Sequence, residues 1–160
     1  MEPSSKKTGG HDLLIEATAL AKSGEYEGAI VKLKELIESH PRHEIALGML
    51  AGIHAQIGMH DRAIENFRRV LKINPENPLA RFQLGLSQLS SGQPADALDT
   101  WKPSLKNPDN FLVLFHSGLA LMQLNRPAEA RPLLEEAARR MPKNHALYPQ
   151  LTDLLTGSPV

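Results

Sequence analysis

The chain contains no cysteine. That one absence removes disulfides, thiol nucleophiles and Cys-ligated zinc, so stability has to come from packing. Net charge is absent as well: Lys plus Arg and Asp plus Glu number 18 each, and no overall field draws the protein toward nucleic acid, anionic lipid or an acidic substrate. No segment approaches the roughly 20 consecutive apolar residues that a membrane span needs, and neither end carries a lipidation motif. The first ten residues, MEPSSKKTGG, are polar, and the apolar run Leu13 to Ala21 is interrupted by Glu16 without a cleavage pattern behind it. A soluble, cytoplasmic protein is expected. Strand formers are few: Val, Ile and Thr number 17 against 42 for Leu and Ala, which points to an all-α chain. At 160 residues, 41% apolar and 22% charged, it has the length and composition of one ordinary globular domain.

What the chain does have is a period. Lys22 to Ala29 (KSGEYEGA) resembles Gln56 to Ala63 (QIGMHDRA), Ser90 to Ala97 (SSGQPADA) and Gln123 to Ala130 (QLNRPAEA). The turn residues Gly24, Gly58, Gly92 and Asn125 are spaced by 34, 34 and 33, and each is followed five residues later by Ala29, Ala63, Ala97 or Ala130. Closing prolines at 41, 75, 108 and 142 are spaced by 34, 33 and 34, so one residue is missing between Ala97 and Pro108. A helical apolar pattern precedes each turn residue (helix A) and another follows it (helix B). Small residues fall where the two must approach: Ala17 with Ala29, Ala51 with Ala63, Gly85 with Ala97, Gly118 with Ala130.

In this pattern the chain resembles the tetratricopeptide repeat family, with a bulky residue at Leu33, Phe67, Trp101 and Leu134 four positions after the helix-B alanine. The resemblance covers Leu13 to Pro142. It implies an all-α, right-handed α-solenoid in which A helices line a concave face and B helices a convex one. Neighbouring units must stack, because no two-helix unit buries its apolar stripe alone. The expected division is a flexible tail over 1–10, four repeats over 11–142 (about 11–42, 43–76, 77–109 and 110–143), a capping helix over 144–155 and a tail over 156–160. In the capping helix Leu147, Leu151, Leu154 and Leu155 face inward, and Pro149 must lie in the first turn to be tolerated.

Three prolines modulate the repeat. Pro94 and Pro127 open B helices, where the missing N–H is harmless. Pro103 lies about ten residues into the third B helix, where it removes an i to i−4 bond and clashes with the preceding turn, so that helix should kink or end early. Pro132 is a milder case.

Catalytic chemistry is hard to assemble. His40 and His43 flank Pro41 in an inter-repeat turn and read as exposed turn residues rather than metal ligands. His54 falls at a helix-packing position and reads as a partly buried core histidine. No serine has a base partner at a motif spacing, and the glycines mark turns rather than a phosphate cradle. Glu135 and Glu136 lie on a wet face, while Arg68–Arg69 and Arg139–Arg140, late in B helices, suit the helix dipole better than a nucleic-acid patch. No enzyme activity, cofactor or metal is expected.

The A helices carry the functional signal. Their outer stripe comprises Leu14, Ile15, Thr18, Ala21 and Lys22; Ile45, Gly48, Met49, Gly52, Ala55 and Gln56; Leu79, Phe82, Gln83, Leu86 and Leu89; and Leu112, Phe115, His116, Leu119 and Met122. Only Lys22 is fully charged. An apolar stripe on a soluble domain marks an interaction surface, with Phe82 and Phe115 as its expected anchors. Gly48 and Gly52, one turn apart, either leave room for an incoming side chain or admit a neighbouring helix. The family mode that clamps acidic chaperone tails with Lys, Arg and Asn is not supported, since the stripe offers Leu14, Thr18, Met49, Leu79 and Gln83 instead. The expectation is therefore a non-catalytic adaptor that binds an apolar or amphipathic segment of another protein, not nucleic acid, in its concave groove. Self-association, as in a homodimer, is the second reading, and an internal plug formed by the N-terminal tail or the capping helix is the third.

Overall fold

In the computed structural model residues 9–107 and 109–157 are described. Most of the N-terminal head, the closing Pro108 and Ser158 to Val160 lie outside that range. Every regular element among the described residues is helical. The chain divides into two units, Met1–Ala80 and Arg81–Val160. The first holds α1 (Gly10–Lys22), α2 (Tyr26–Ser39), α3 (Glu44–Gln56), α4 (His60–Ile73) and the opening of α5 (Pro78–Ser90). The second holds the rest of α5, then α6 (Pro94–Trp101), a 3-10 stretch Lys102–Lys106, α7 (Phe111–Gln123), α8 (Pro127–Arg140) and α9 (Tyr148–Thr156).

The period in the sequence becomes a period in the backbone. Gly24, Gly58, Gly92 and Asn125 take φ values of 82°, 79°, 75° and 56°, the left-handed conformation that ends each A helix and turns the chain into helix B. In the first unit α1 packs on α2 and α3 on α4, with α2 against α3 joining the two hairpins. Their cores are filled by Leu13, Ala17, Ala29, Leu33 and Leu36, and by Leu47, Leu50, Ala51, Ala63, Phe67 and Val70, all buried. The second unit buries Trp101 with Ala97, Val113 and Ala120, and Phe115 with Leu134, Ala137 and Leu151.

Close approach works differently from the alanine pairing read in the sequence. A Cβ on Gly85 would lie 2.6 Å from Trp101 Cζ2 and closer still to the indole nitrogen, and one on Gly118 would lie 2.5 Å from Leu134 Cδ2. Each glycine thus makes room for the bulky residue of the following B helix.

Pro94, Pro127 and Pro103 act where expected, and Pro132 does not interrupt its helix. Pro94 and Pro127 sit in the first turns of α6 and α8. Pro103 ends the third B helix: α6 stops at Trp101 and the chain continues as 3-10 helix. Pro132 leaves α8 unbroken from Pro127 to Arg140. The last helix begins at Tyr148, four residues after the expected start, and Pro149 lies in its first turn. Three A helices are capped by the second residue after the closing proline. His43 Nδ1 accepts from Ala46 N (3.2 Å), Asn77 Oδ1 from Ala80 N (2.8 Å) and Asn110 Oδ1 from Val113 N (3.4 Å).

Candidate functional site

The first unit carries the predicted stripe on α1 and α3. Ile15 is 55% exposed and Ile45 60%. Leu14, Thr18, Met49 and Gly52 are half-buried between them. Thr18 Oγ1 donates to Leu14 O (2.7 Å) and lies 3.9 Å from Met49 Sδ, which places the two helices side by side at this level. Along α3 the residues Ile45, Gly48, Met49, Gly52 and Ala55 recur at helical spacing and share one side. Among the described residues, a Cβ added at Gly48 or Gly52 would meet no atom within 4 Å. Of the two readings of these glycines, admission of a neighbouring helix is overturned, and the space beside them is open. Leu79, in the opening turn of α5, is 67% exposed.

The second unit departs from expectation. Phe115, read as a binding anchor, is 0% exposed and packs with Leu134 and Leu151. This corrects the sequence reading. Helix α7 is apolar nearly all round, so its sequence does not reveal which side meets α8. Phe82, Leu86 and Leu89 are half-buried against the Trp101 cluster, and Leu119 against the Phe115 cluster, so they serve the core as well as the surface. Gln83 is half-buried too, and of the predicted set in this unit only Met122, at 41%, is exposed.

His116 sits inside an aromatic collar. Its ring centroid lies 5.1 Å from Phe115, 5.7 Å from Phe82 and 6.1 Å from Trp101, while Trp101 Nε1 donates to Phe82 O (3.2 Å). Burial pushes the imidazole down to about 4, so it is neutral at physiological pH. The collar adds a polar edge to the face without adding charge.

Several titratable groups elsewhere are engaged in structure. Arg140 bonds Asp109 (3.1 Å) and Glu136 (2.6 Å), and Arg139 also bonds Glu136. Hydrogen bonds from Arg140 and then Arg139 hold Glu136 below the usual carboxylate range. Glu44 accepts from Asn74 (3.0 Å) and Asn77 (2.8 Å), tying the start of α3 to the segment before α5. His40 is exposed, as expected, but His43 is a helix cap, a role that its place two residues after Pro41 signals once Asn77 and Asn110 are seen in the same place. Among the described residues no three His, Cys, Asp or Glu side chains gather as a metal site, and no helix is long and apolar enough to cross a membrane.

The geometry agrees with the comparisons. The tetratricopeptide repeat family model matches residues 16–78 and 82–145. The chain belongs to the tetratricopeptide repeat family. Among curated proteins it is 28% identical over 94 residues to the small glutamine-rich tetratricopeptide repeat-containing protein 2 of Mycosarcoma maydis, covering 59% of this chain and 27% of that protein. It is 31% identical over 81 residues to the protein CTR9 homolog of Arabidopsis thaliana, covering 51% of this chain and 7% of that protein. It therefore corresponds to about a quarter or less of the length of these relatives. Solved structures titled "Crystal structure of MamA protein" and "MamA MSR-1 C2" share the fold. They give TM-scores of 0.81 and 0.79 at 17% and 22% identity, covering 92% and 86% of this chain and 85% and 80% of theirs. Tetratricopeptide repeats generally mediate protein–protein interaction through the surfaces that their stacking creates, and are typically non-catalytic.

Proposed function

We propose that this repeat protein is a non-catalytic adaptor whose α1–α3 face binds an apolar or amphipathic segment of a partner protein. The observation that carries the reading is the pair Gly48 and Gly52. Each weakens an α-helix by up to about 1 kcal/mol relative to alanine, and neither is required by packing among the described residues, where a Cβ at either position meets nothing within 4 Å. They leave an open notch beside exposed Ile45 and half-buried Met49, and the α3 side of that notch carries no charge. An incoming helix or strand fits there by shape and apolar contact, the helix-in-groove mode being the nearest precedent in physics. Met49 adapts to varied apolar shapes because its side chain is unbranched and polarizable. In the second unit Met122 and the edge of His116 offer a smaller surface of the same character. An internal plug is disfavoured: α9 is committed to α8 through fully buried Leu151, and the segment MEPSSKKT is polar.

The test is capture with quantitative identification of bound proteins, comparing the wild type with Ile45→Glu/Met49→Glu. Both side chains lie on the open face, so helicity should be retained while specific partners are lost. Equal capture by the two proteins would refute the proposal, and a concentration-dependent dimer that the variant abolishes would favour self-association instead.

A further inference from the structure

The face of α3 turned away from the notch holds a side chain that its surroundings do not satisfy. His54, in the last turn of α3, is 2% exposed, and among the described residues neither Nδ1 nor Nε2 has a hydrogen-bond partner. The repeat supplies its own controls. The equivalent positions, three residues after the small residue of each A helix, are Leu20, Gln88 and Leu121. Two are apolar, and Gln88 is buried but accepts from Thr100 Oγ1 at 2.7 Å. Only His54 puts an unpaired polar group there, which is a standing penalty on the closed hairpin.

The charged groups acting on it come from both flanking helices. Arg62 and Glu65 lie on α4 and Lys34 on α2, two cations against one carboxylate. His60, at the start of α4, also has a buried Nδ1 without a partner. On α3 itself the titratable groups His43 and Glu44 are at the opposite end, engaged in the cap and with Asn74 and Asn77. No carboxylate bonds the imidazole, and it cannot reach water while the hairpin is closed. Burial first, and then Arg62 and Lys34, hold it below the ordinary 6.5.

We propose that His54 makes the α3–α4 hairpin an acid-sensitive latch, closed while the imidazole is neutral and opened when it takes a proton. Above pH 6.5 both states hold the imidazole neutral and the latch is indifferent to pH. Below 6.5 the open state takes the proton more readily than the closed state, so opening grows as the pH falls, by at most about tenfold per pH unit, until the closed state also protonates. Because α3 carries the notch on its other side, opening dismantles that face. The latch itself stands whether or not the face takes a partner.

The experiment is residue-resolved amide exchange on the full chain at pH 7.5 and 5.5, corrected for the intrinsic exchange rate, for the wild type and His54→Leu. Leucine is what the chain uses at positions 20 and 121. The wild type should lose protection in α3 and α4 at the lower pH, and His54→Leu should keep it. Unchanged wild-type protection, or an equal loss in the variant, overturns the proposal. Should the leucine variant misfold, an imidazole NMR titration of the wild type decides: the folded His54 signal should stay neutral through pH 6.5, and ordinary titration there overturns the latch.

Discussion

Alanine substitution of four glycines in A helices should change stability in opposite directions, because the space beside them differs. At Gly48 and Gly52 an added methyl meets nothing within 4 Å. Neither glycine uses a positive φ, so alanine gains helix propensity without strain. Each should stabilise the protein by about 0.5–1 kcal/mol, and the pair by about 1–2 kcal/mol. At Gly85 the methyl would enter the Trp101 indole, and at Gly118 it would enter the Leu134 side chain. Overpacking of this kind costs about 1–3 kcal/mol or more, which exceeds the propensity gain. Thermal and urea unfolding followed by circular dichroism reads the difference, since each kcal/mol moves the thermal midpoint by about 4–8 °C for units of this size. The Gly48→Ala/Gly52→Ala variant should nevertheless capture its partner less well, because the methyls fill the notch. A variant at these two positions that is less stable in dilute solution would refute the reasoning, for it would mean that the notch is already filled in the native protein.

Further outcomes follow from the same geometry. His116 is lowered from the ordinary 6.5 to about 4, so the second unit should lose up to about 3 kcal/mol as the pH falls from 6.5 to about 4, while stability above 6.5 is unaffected. His116→Phe should flatten that slope in pH-dependent urea unfolding. Trp101 is the only tryptophan and is fully buried, so its emission should be blue-shifted and report on unfolding of the second unit. Trp101→Ala should cost about 3–5 kcal/mol in urea unfolding. Pro103→Ala should convert the 3-10 stretch Lys102–Lys106 to α-helix, visible as a gain in helical NMR shifts there; no gain would mean that the missing residue before Pro108 sets the helix end by itself.

Much of the fold was legible because it repeats. Gly24, Gly58, Gly92 and Asn125 mark the left-handed turns, and Pro103 marks where α6 stops. The face of α7 was not legible. Its residues are apolar on every side, so periodicity could not tell buried Phe115 from half-buried His116. The start of α9 was missed for a related reason: Pro142-Lys143-Asn144 follows the spacing of Pro75-Glu76-Asn77 and Pro108-Asp109-Asn110, yet the chain makes turns until Leu147 and begins the helix only at Tyr148. His54 was placed in the core correctly, but its burial is nearly complete and it has no partner, which depends on side chains from α2 and α4 that no local pattern describes. At the binding face, the sequence showed that Gly48 and Gly52 share a stripe, and only the packing could show that nothing fills the space beside them.

Site-specific photocrosslinking tests the binding face most directly. A photoreactive phenylalanine analogue at Ile45 probes the notch, and the same analogue at Val31, equally exposed at 62% but on α2, serves as the control. The account predicts that Ile45 yields a discrete crosslinked partner protein, that Val31 does not, and that Gly48→Ala/Gly52→Ala reduces the yield from Ile45. Equal yields from the two positions, or crosslinks from Ile45 only to a second copy of the chain, would contradict it.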